Sequence, residues 1–219
     1  MSLSEGVPWT LLLPVHYSAF ITRQDAKKNT KDAKYFFTTL RFFAPLREIF
    51  SMNPFIVYIM GVSGSGKTTI GKKLATRIGL PFFDGDDFHP PSNKEKMNRG
   101  IPLTDDDRKD WLIQMHKAAM DQAKLAGAVI ACSALKENYR TILSSGITIP
   151  LYWVFLQGSF ELIKKRMEER KDHFMPAGLL SSQFDALQIP DNCITIDISN
   201  SPDEIVEMIL SQIDIKSLT

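Results

Sequence analysis

The chain has 219 residues, 44% of them hydrophobic, with 26 Lys plus Arg against 25 Asp plus Glu and a formal net charge of +1. That length supports one well-buried domain with an appendage, and the balanced charge removes any global electrostatic case for nucleic acid or an anionic membrane as a partner. The two cysteines, Cys132 and Cys193, lie in the apolar runs AVIACSA and NCITIDI, which predicts small buried thiols in a reducing, cytosolic setting and neither a disulfide framework nor metal-ligand spacing. No apolar run approaches the roughly 20 residues of a membrane helix, and the opening lacks the layout of a signal peptide, so a soluble cytoplasmic protein is expected.

Residues 1–51 stand apart. They carry seven basic and four acidic residues and the aromatic run KYFFTTLRFFAPLREIF. They read as an N-terminal extension of unknown role, with no catalytic part expected, ahead of a domain over 52–219 that opens on MNPFIVYIMGVSG. From residue 54 short β-rich runs alternate with longer amphipathic ones, the pattern of an α/β fold with a five-stranded parallel sheet sandwiched between helices. Strands are predicted at 55–60, 81–84, 128–133, 149–156 and 193–198. Helices are predicted over 67–78, 107–126, 136–144, 159–170, 177–188 and 201–213.

The first strand runs into GVSGSGKTT, in which Gly61, Gly66, Lys67 and Thr68 satisfy G-x-x-x-x-G-K-[ST] between a strand and a helix. Glycines there let the backbone approach a polyphosphate, and the N–H groups at a helix start favour negative charge. Lys67 can reach the β and γ oxygens, and the Thr68 hydroxyl suits Mg²⁺. The stretch Gly61, Ser63, Gly64, Ser65, Gly66, Lys67, Thr68 and Thr69 is therefore predicted to hold ATP·Mg²⁺. No guanine-reading N-K-x-D is present, and the small size points to a phosphotransferase.

The second strand ends in FFDGDDFHPP. Asp84 and Asp86 lie just beyond its carboxyl end, where open α/β sheets bind ligands; one suits Mg²⁺ and the other an acceptor hydroxyl, with Asp87 pointing away in an extended segment. The same residues also suit a solvated turn. His89, before Pro90 and Pro91, is expected in a stiff extended or turn segment near the acceptor. In GIPLTDDDRKDWL, Thr104 or an aspartate caps a helix, and Arg108 can fork onto a carboxylate or phosphate. After the third strand, CSALKENYR offers Lys136 and Arg140 as acceptor contacts, or a helix capped by Ser133 with solvated charges. Arg166 and Arg170, four apart at a basic helix end, suit a short lid over ATP at about 165–176.

Taken together, GVSGSGKTT, DGDDFHP, N-x-x-KM-x-x-G-x-PL-x-DDDR-x-x-WL, CSALK-x-x-YR, R-x-x-x-R-x-x-HFM and S-Q-F-x-x-L-Q-x-P closely resemble gluconokinase, a P-loop kinase of the small-molecule and nucleoside-monophosphate kinase fold. The resemblance covers roughly residues 54–214. It implies ATP-dependent phosphorylation of D-gluconate at its terminal hydroxyl, with Lys67 and Thr68 serving ATP·Mg²⁺ and Asp84 and Asp86 between metal and acceptor. It further implies Arg108 and Arg140 at the acceptor's anionic end, contacts from His89, Lys136 and Tyr139, Arg166 and Arg170 in the lid, and often a homodimer. The alternatives are a kinase of shikimate, adenylylsulfate or a nucleoside monophosphate, or a nucleotide-dependent binding protein without turnover.

Overall fold

In the computed structural model the described residues are 53–169 and 177–213. The extension 1–51 and the stretch 170–176, with Arg170 and most of the expected lid, lie outside them. The chain runs β1 (Phe55–Met60), α1 (Lys67–Ile78), β2 (Phe82–Asp84), a 3-10 turn (Gly85–Phe88), α2 (Pro91–Asn98), α3 (Asp105–Ala123), β3 (Gly127–Ala131), α4 (Glu137–Ser144), β4 (Leu151–Gln157), α5 (Phe160–Glu168), α6 (Ala177–Ala186), β5 (Ile194–Asp197) and α7 (Pro202–Gln212).

The five strands pair in parallel in the order β2-β3-β1-β4-β5. Every residue of β1 and β3 is buried, as a strand covered on both faces requires. Successive β1 side chains point to opposite faces and feed two cores. Phe55, Val57 and Ile59 pack with Ile70 and Leu74 of α1 and Ile209 of α7; Ile56, Tyr58 and Met60 pack with Trp111 and Met115 of α3 and Leu143 of α4.

All five expected strands and all six expected helices are present, with ends that match or shift by up to three residues. Two elements depart from expectation. Residues 85–88 are not extended but wind into the 3-10 turn, with the Asp84 side chain accepting from Asp86 N at 3.1 Å. The two prolines do not merely stiffen the chain; Pro90 is the N-cap and Pro91 the first residue of α2, where a missing N–H costs nothing. The helix after GIPL starts two residues earlier than read because Thr104 and Asp107 form a capping box. At the other end of β3, α4 is capped not by Ser133 but at Lys136. Of the two thiols, Cys132 is buried while Cys193 is half-buried and donates to Pro190 O at 3.2 Å.

The 3-10 turn is pinned from one side. Trp111 Nε1 donates to Gly85 O at 2.7 Å, and the indole stacks on His89 with centroids 4.6 Å apart and planes 8° from parallel. Asn93 Nδ2 lies 3.5 Å from His89 Nδ1, a contact suited to a neutral ring that accepts. Burial lowers the His89 pKa from 6.5 to about 4, and the Arg108 and Lys94 charges push the same way. The unfolded chain takes up this proton near pH 6.5 and the folded chain only near 4, so the associated stability is complete above 6.5 and is lost as pH falls toward 4. Urea midpoints should therefore drop over that window, and His89→Phe, which keeps the ring stack but binds no proton, should flatten the drop. An unchanged slope in the variant would mean that other groups cause it.

Candidate active site

The sheet register builds the site. Asp84 of β2 is level with Ala131 of β3, and Ala131 is level with Ile59 of β1. The phosphate loop leaves β1 one residue later, so the loop and the Asp84 carboxylate meet across β3. Thr68 Oγ1, one residue into α1, donates to Asp84 Oδ2 at 2.7 Å. The two residues expected to hold Mg²⁺ are thus in contact, and their oxygens are hard donors of the type that ion takes. Among the described residues no group of three or more His, Cys, Asp or Glu forms a metal cage.

The loop itself has the strained geometry its glycines predict. Gly61, Gly64 and Gly66 have φ of 145°, 83° and 97°. At Gly66 an added Cβ would meet nothing within 4 Å, so only the left-handed backbone demands glycine there, and the open space above it is available to a ligand. Lys67 Nζ donates to Val62 O at 3.0 Å, across the mouth of the loop. Ser65 Oγ is buried with no hydrogen-bond partner among the described residues, an orphan that a bound anion can satisfy. Beside the loop a cavity of about 340 Å³ is bordered by Gly64, Ser65, Thr69, Arg166, Asn200 and Pro202. Arg166 is steered there by donating to Ile198 O at 2.6 Å.

Several of the residues expected at the acceptor are in contact with one another. Lys136 Nζ donates to Asp105 Oδ1 at 2.7 Å, and Tyr139 Oη donates to the same oxygen. Arg108 and Lys136 lie 5.7 and 5.5 Å from the Tyr139 ring centroid. Arg108 is steered by donating to Leu103 O and Thr104 O. These contacts hold the Asp105 carboxyl below its usual range, the Lys136 hydrogen bond most of all, and raise the Lys136 pKa in return. Arg140, expected beside Lys136 at the acceptor, is 7% exposed and donates from Nη1 to Ala134 O and Leu135 O. It ties down the loop between β3 and α4 through those two carbonyls, and burial lowers its pKa. Cys132 begins that loop, and its burial pushes the thiol up to about 12. Asp86, at the exposed end of the 3-10 turn, completes the set next to Asp84.

Reading the sequence assigned no role of their own to Asp105, Trp111, Gln183, Asn200 or Pro202, although the first three stand within the quoted motifs. The aspartate had a sufficient explanation as part of a helix start, and no spacing rule links Trp111 to Gly85.

Comparison with known proteins agrees with this geometry. The shikimate kinase family profile matches residues 63–214. The gluconokinase of Gluconobacter oxydans (strain 621H) is 42% identical, the match covering 73% of this chain and 91% of that protein. The thermosensitive gluconokinase of Escherichia coli (strain K12) is 44% identical over 68% of this chain and 82% of its own length. The crystal structure of a gluconokinase from Sinorhizobium meliloti 1021 superposes with a TM-score of 0.67 at 40% identity, covering 73% of this chain and 91% of that one. With a parallel sheet that brings Thr68 to Asp84, and relatives at this identity matched over most of their length, the chain belongs to the gluconokinase family of P-loop kinases.

Proposed function

We propose that the chain transfers the γ-phosphoryl of ATP to the terminal hydroxyl of D-gluconate, giving ADP and 6-phospho-D-gluconate. The observation that carries the reading is the convergence of Arg108 and Lys136 on Tyr139, joined through Trp111 and the 3-10 turn to the Thr68–Asp84 pair at the phosphate loop. A phosphoryl-transfer site at one end and two cations beside hydrogen-bonding groups at the other suit an acceptor with one carboxylate and several hydroxyls. The relatives named gluconokinase support that acceptor.

In this reading the N–H groups from Gly64 to Thr69 cradle the phosphates, and Lys67 leaves Val62 O to reach the β and γ oxygens. Thr68 and Asp84 hold Mg²⁺, which when bound offsets charge on the transferring group. Asp86 accepts the proton of the acceptor hydroxyl as that oxygen attacks phosphorus. Arg108 and Lys136 take the carboxylate, His89 offers a neutral ring nitrogen nearby, and Arg140 shapes the loop that carries Lys136. The nucleoside occupies the cavity beside Arg166 and Asn200, with Arg170 assigned to ATP by the resemblance alone. Both thiols are free and no helix of the described residues is long and apolar enough to cross a membrane, which supports a cytoplasmic setting; assembly as a homodimer is part of the same proposal.

The direct test is ADP production with D-gluconate, shikimate, adenylylsulfate and nucleoside monophosphates. Turnover should be confined to gluconate and close sugar acids, and a preference for shikimate would overturn the acceptor assignment. Two variants separate the roles. Asp86→Asn keeps size but not proton acceptance, so kcat should fall about 10²-fold or more while ATP affinity barely moves. Arg108→Lys keeps charge but loses the planar fork, so KM for gluconate should rise more than kcat falls. A normal kcat for Asp86→Asn would remove it as the base. Removing residues 1–51 should leave an active kinase, because each of the residues assigned here lies after Met52; a large loss of kcat or solubility would give the extension a structural role.

A further inference from the structure

The S-Q-F-x-x-L-Q run takes part in neither the metal pair nor the acceptor cluster, yet it holds both loops. Gln183, on α6, accepts from Ser63 N at 2.7 Å through Oε1 and donates to Ser63 Oγ at 3.1 Å through Nε2. Both ends of one amide therefore grip one residue of the phosphate loop. The Ser63 N–H belongs to the same peptide plane as the Val62 carbonyl, which accepts from Lys67 Nζ at 3.0 Å and from Ser65 N at 3.3 Å. Lys67 thus holds one side of that plane and Gln183 the other. When Lys67 turns to phosphate, the Gln183 contact stays.

Five residues on, Gln188 N donates to Leu135 O at 2.8 Å, and Gln188 Oε1 accepts from Glu137 N at 2.7 Å. These two contacts bracket Lys136. The second, through Gln188 Oε1, also supplies the α4 start with the acceptor that its own N-cap lacks. The loop they grip needs holding, since Ala134 sits at φ 41°, the one non-glycine residue with positive φ among the described residues, a backbone state that persists only where its surroundings impose it. The helix α6 is seated by Leu180 in the core and, between the two glutamines, by the Phe184 ring 5.5 Å from that of Phe160.

We propose that Gln183 and Gln188 are positioning residues, one for each substrate: Gln183 sets the phosphate loop for ATP, and Gln188 sets the Lys136 loop for the acceptor. The assignment rests on the kinase reading above, and it makes one short segment the common brace of the two binding loops.

The test is a crossed kinetic comparison of Gln183→Ala and Gln188→Ala, with thermal melting and displacement of a fluorescent nucleotide by a non-hydrolysable ATP analogue, the acceptor being D-gluconate or whichever compound of the panel is turned over. Gln183→Ala should lower kcat/KM for ATP about tenfold and weaken the analogue to a similar degree, with the acceptor KM within about twofold. Gln188→Ala should show the reverse, raising the acceptor KM about tenfold with analogue affinity nearly unchanged. Gln183→Glu keeps an oxygen for Ser63 N while the Ser63 hydroxyl turns to donate; it should melt like the wild type but bind ATP more weakly because of its charge. Equal losses in both substrates that follow the melting temperature, or wild-type kinetics in either alanine variant, would overturn the proposal. The analogue measurement needs no acceptor, so a failure of the gluconate assignment shows in the panel alone and stays separate from a failure of the Gln183 role.

Discussion

Parallel pairing of β2, β3 and β1 is the constraint on which the rest of the site depends. It brings the ends of three strands level, so that a loop leaving β1 and a carboxylate ending β2 meet over the strand between them. A slip of one residue would move Asp84 by roughly 3.3 Å and turn its side chain to the other face, and the 2.7 Å contact with Thr68 would be lost. Burial fixes the register, because β1 sends alternate side chains into two separate cores and neither can accept the other's set. Close backbone contact fixes it too. Gly127 begins β3 at φ 94°, and a Cβ there would stand 1.9 Å from Phe55 O, so only glycine lets β3 start directly against β1.

A second device is the use of one helix start for three purposes. Asp105, Asp106 and Asp107 are consecutive, and a helix turns about 100° per residue, so they face three directions. Asp107 looks back to close the capping box with Thr104 and reaches Lys96 of α2 at 2.7 Å; the Lys96 hydrogen bond, ahead of those from Thr104, lowers its pKa to about 2. Asp106 faces solvent and pairs with exposed Lys109, a contact of small consequence. Asp105 faces the acceptor side and gathers Lys136 and Tyr139. The first of these ties α3 to α2 after the second strand's exit, and the third joins α3 to the start of α4.

Backbone groups do much of the steering. Arg108, Arg140 and Arg166 each donate to main-chain carbonyls, which fixes where a long flexible side chain can lie while leaving its charge uncompensated by a carboxylate at those contacts. For Arg108 and Arg166, the two proposed to meet anions, that arrangement leaves the charge available. Pairing each arginine with Asp or Glu would hold it equally well and cancel the field that draws a polyphosphate and a carboxylate into the cleft.

The sequence by itself determined the elements and the phosphate loop. Period-2 and period-3.6 patterns placed all the strands and most of the helices, and G-x-x-x-x-G-K-T between a strand and a helix carries its own local geometry, seen in the positive φ of Gly61, Gly64 and Gly66. Local rules were weaker where alternatives compete within a few residues, as at Pro90 and Pro91, which can end an extended segment or begin a helix. Only the tertiary structure decided which side chains meet. Ser63 and Gln183 are 120 residues apart, Asp105 and Tyr139 are 34 apart, and Arg140 donates to the backbone of the loop ahead of its own helix. Such contacts follow from the register of the sheet and the packing of helices over it, quantities set by the summed burial of many residues, and no short stretch of chain encodes them.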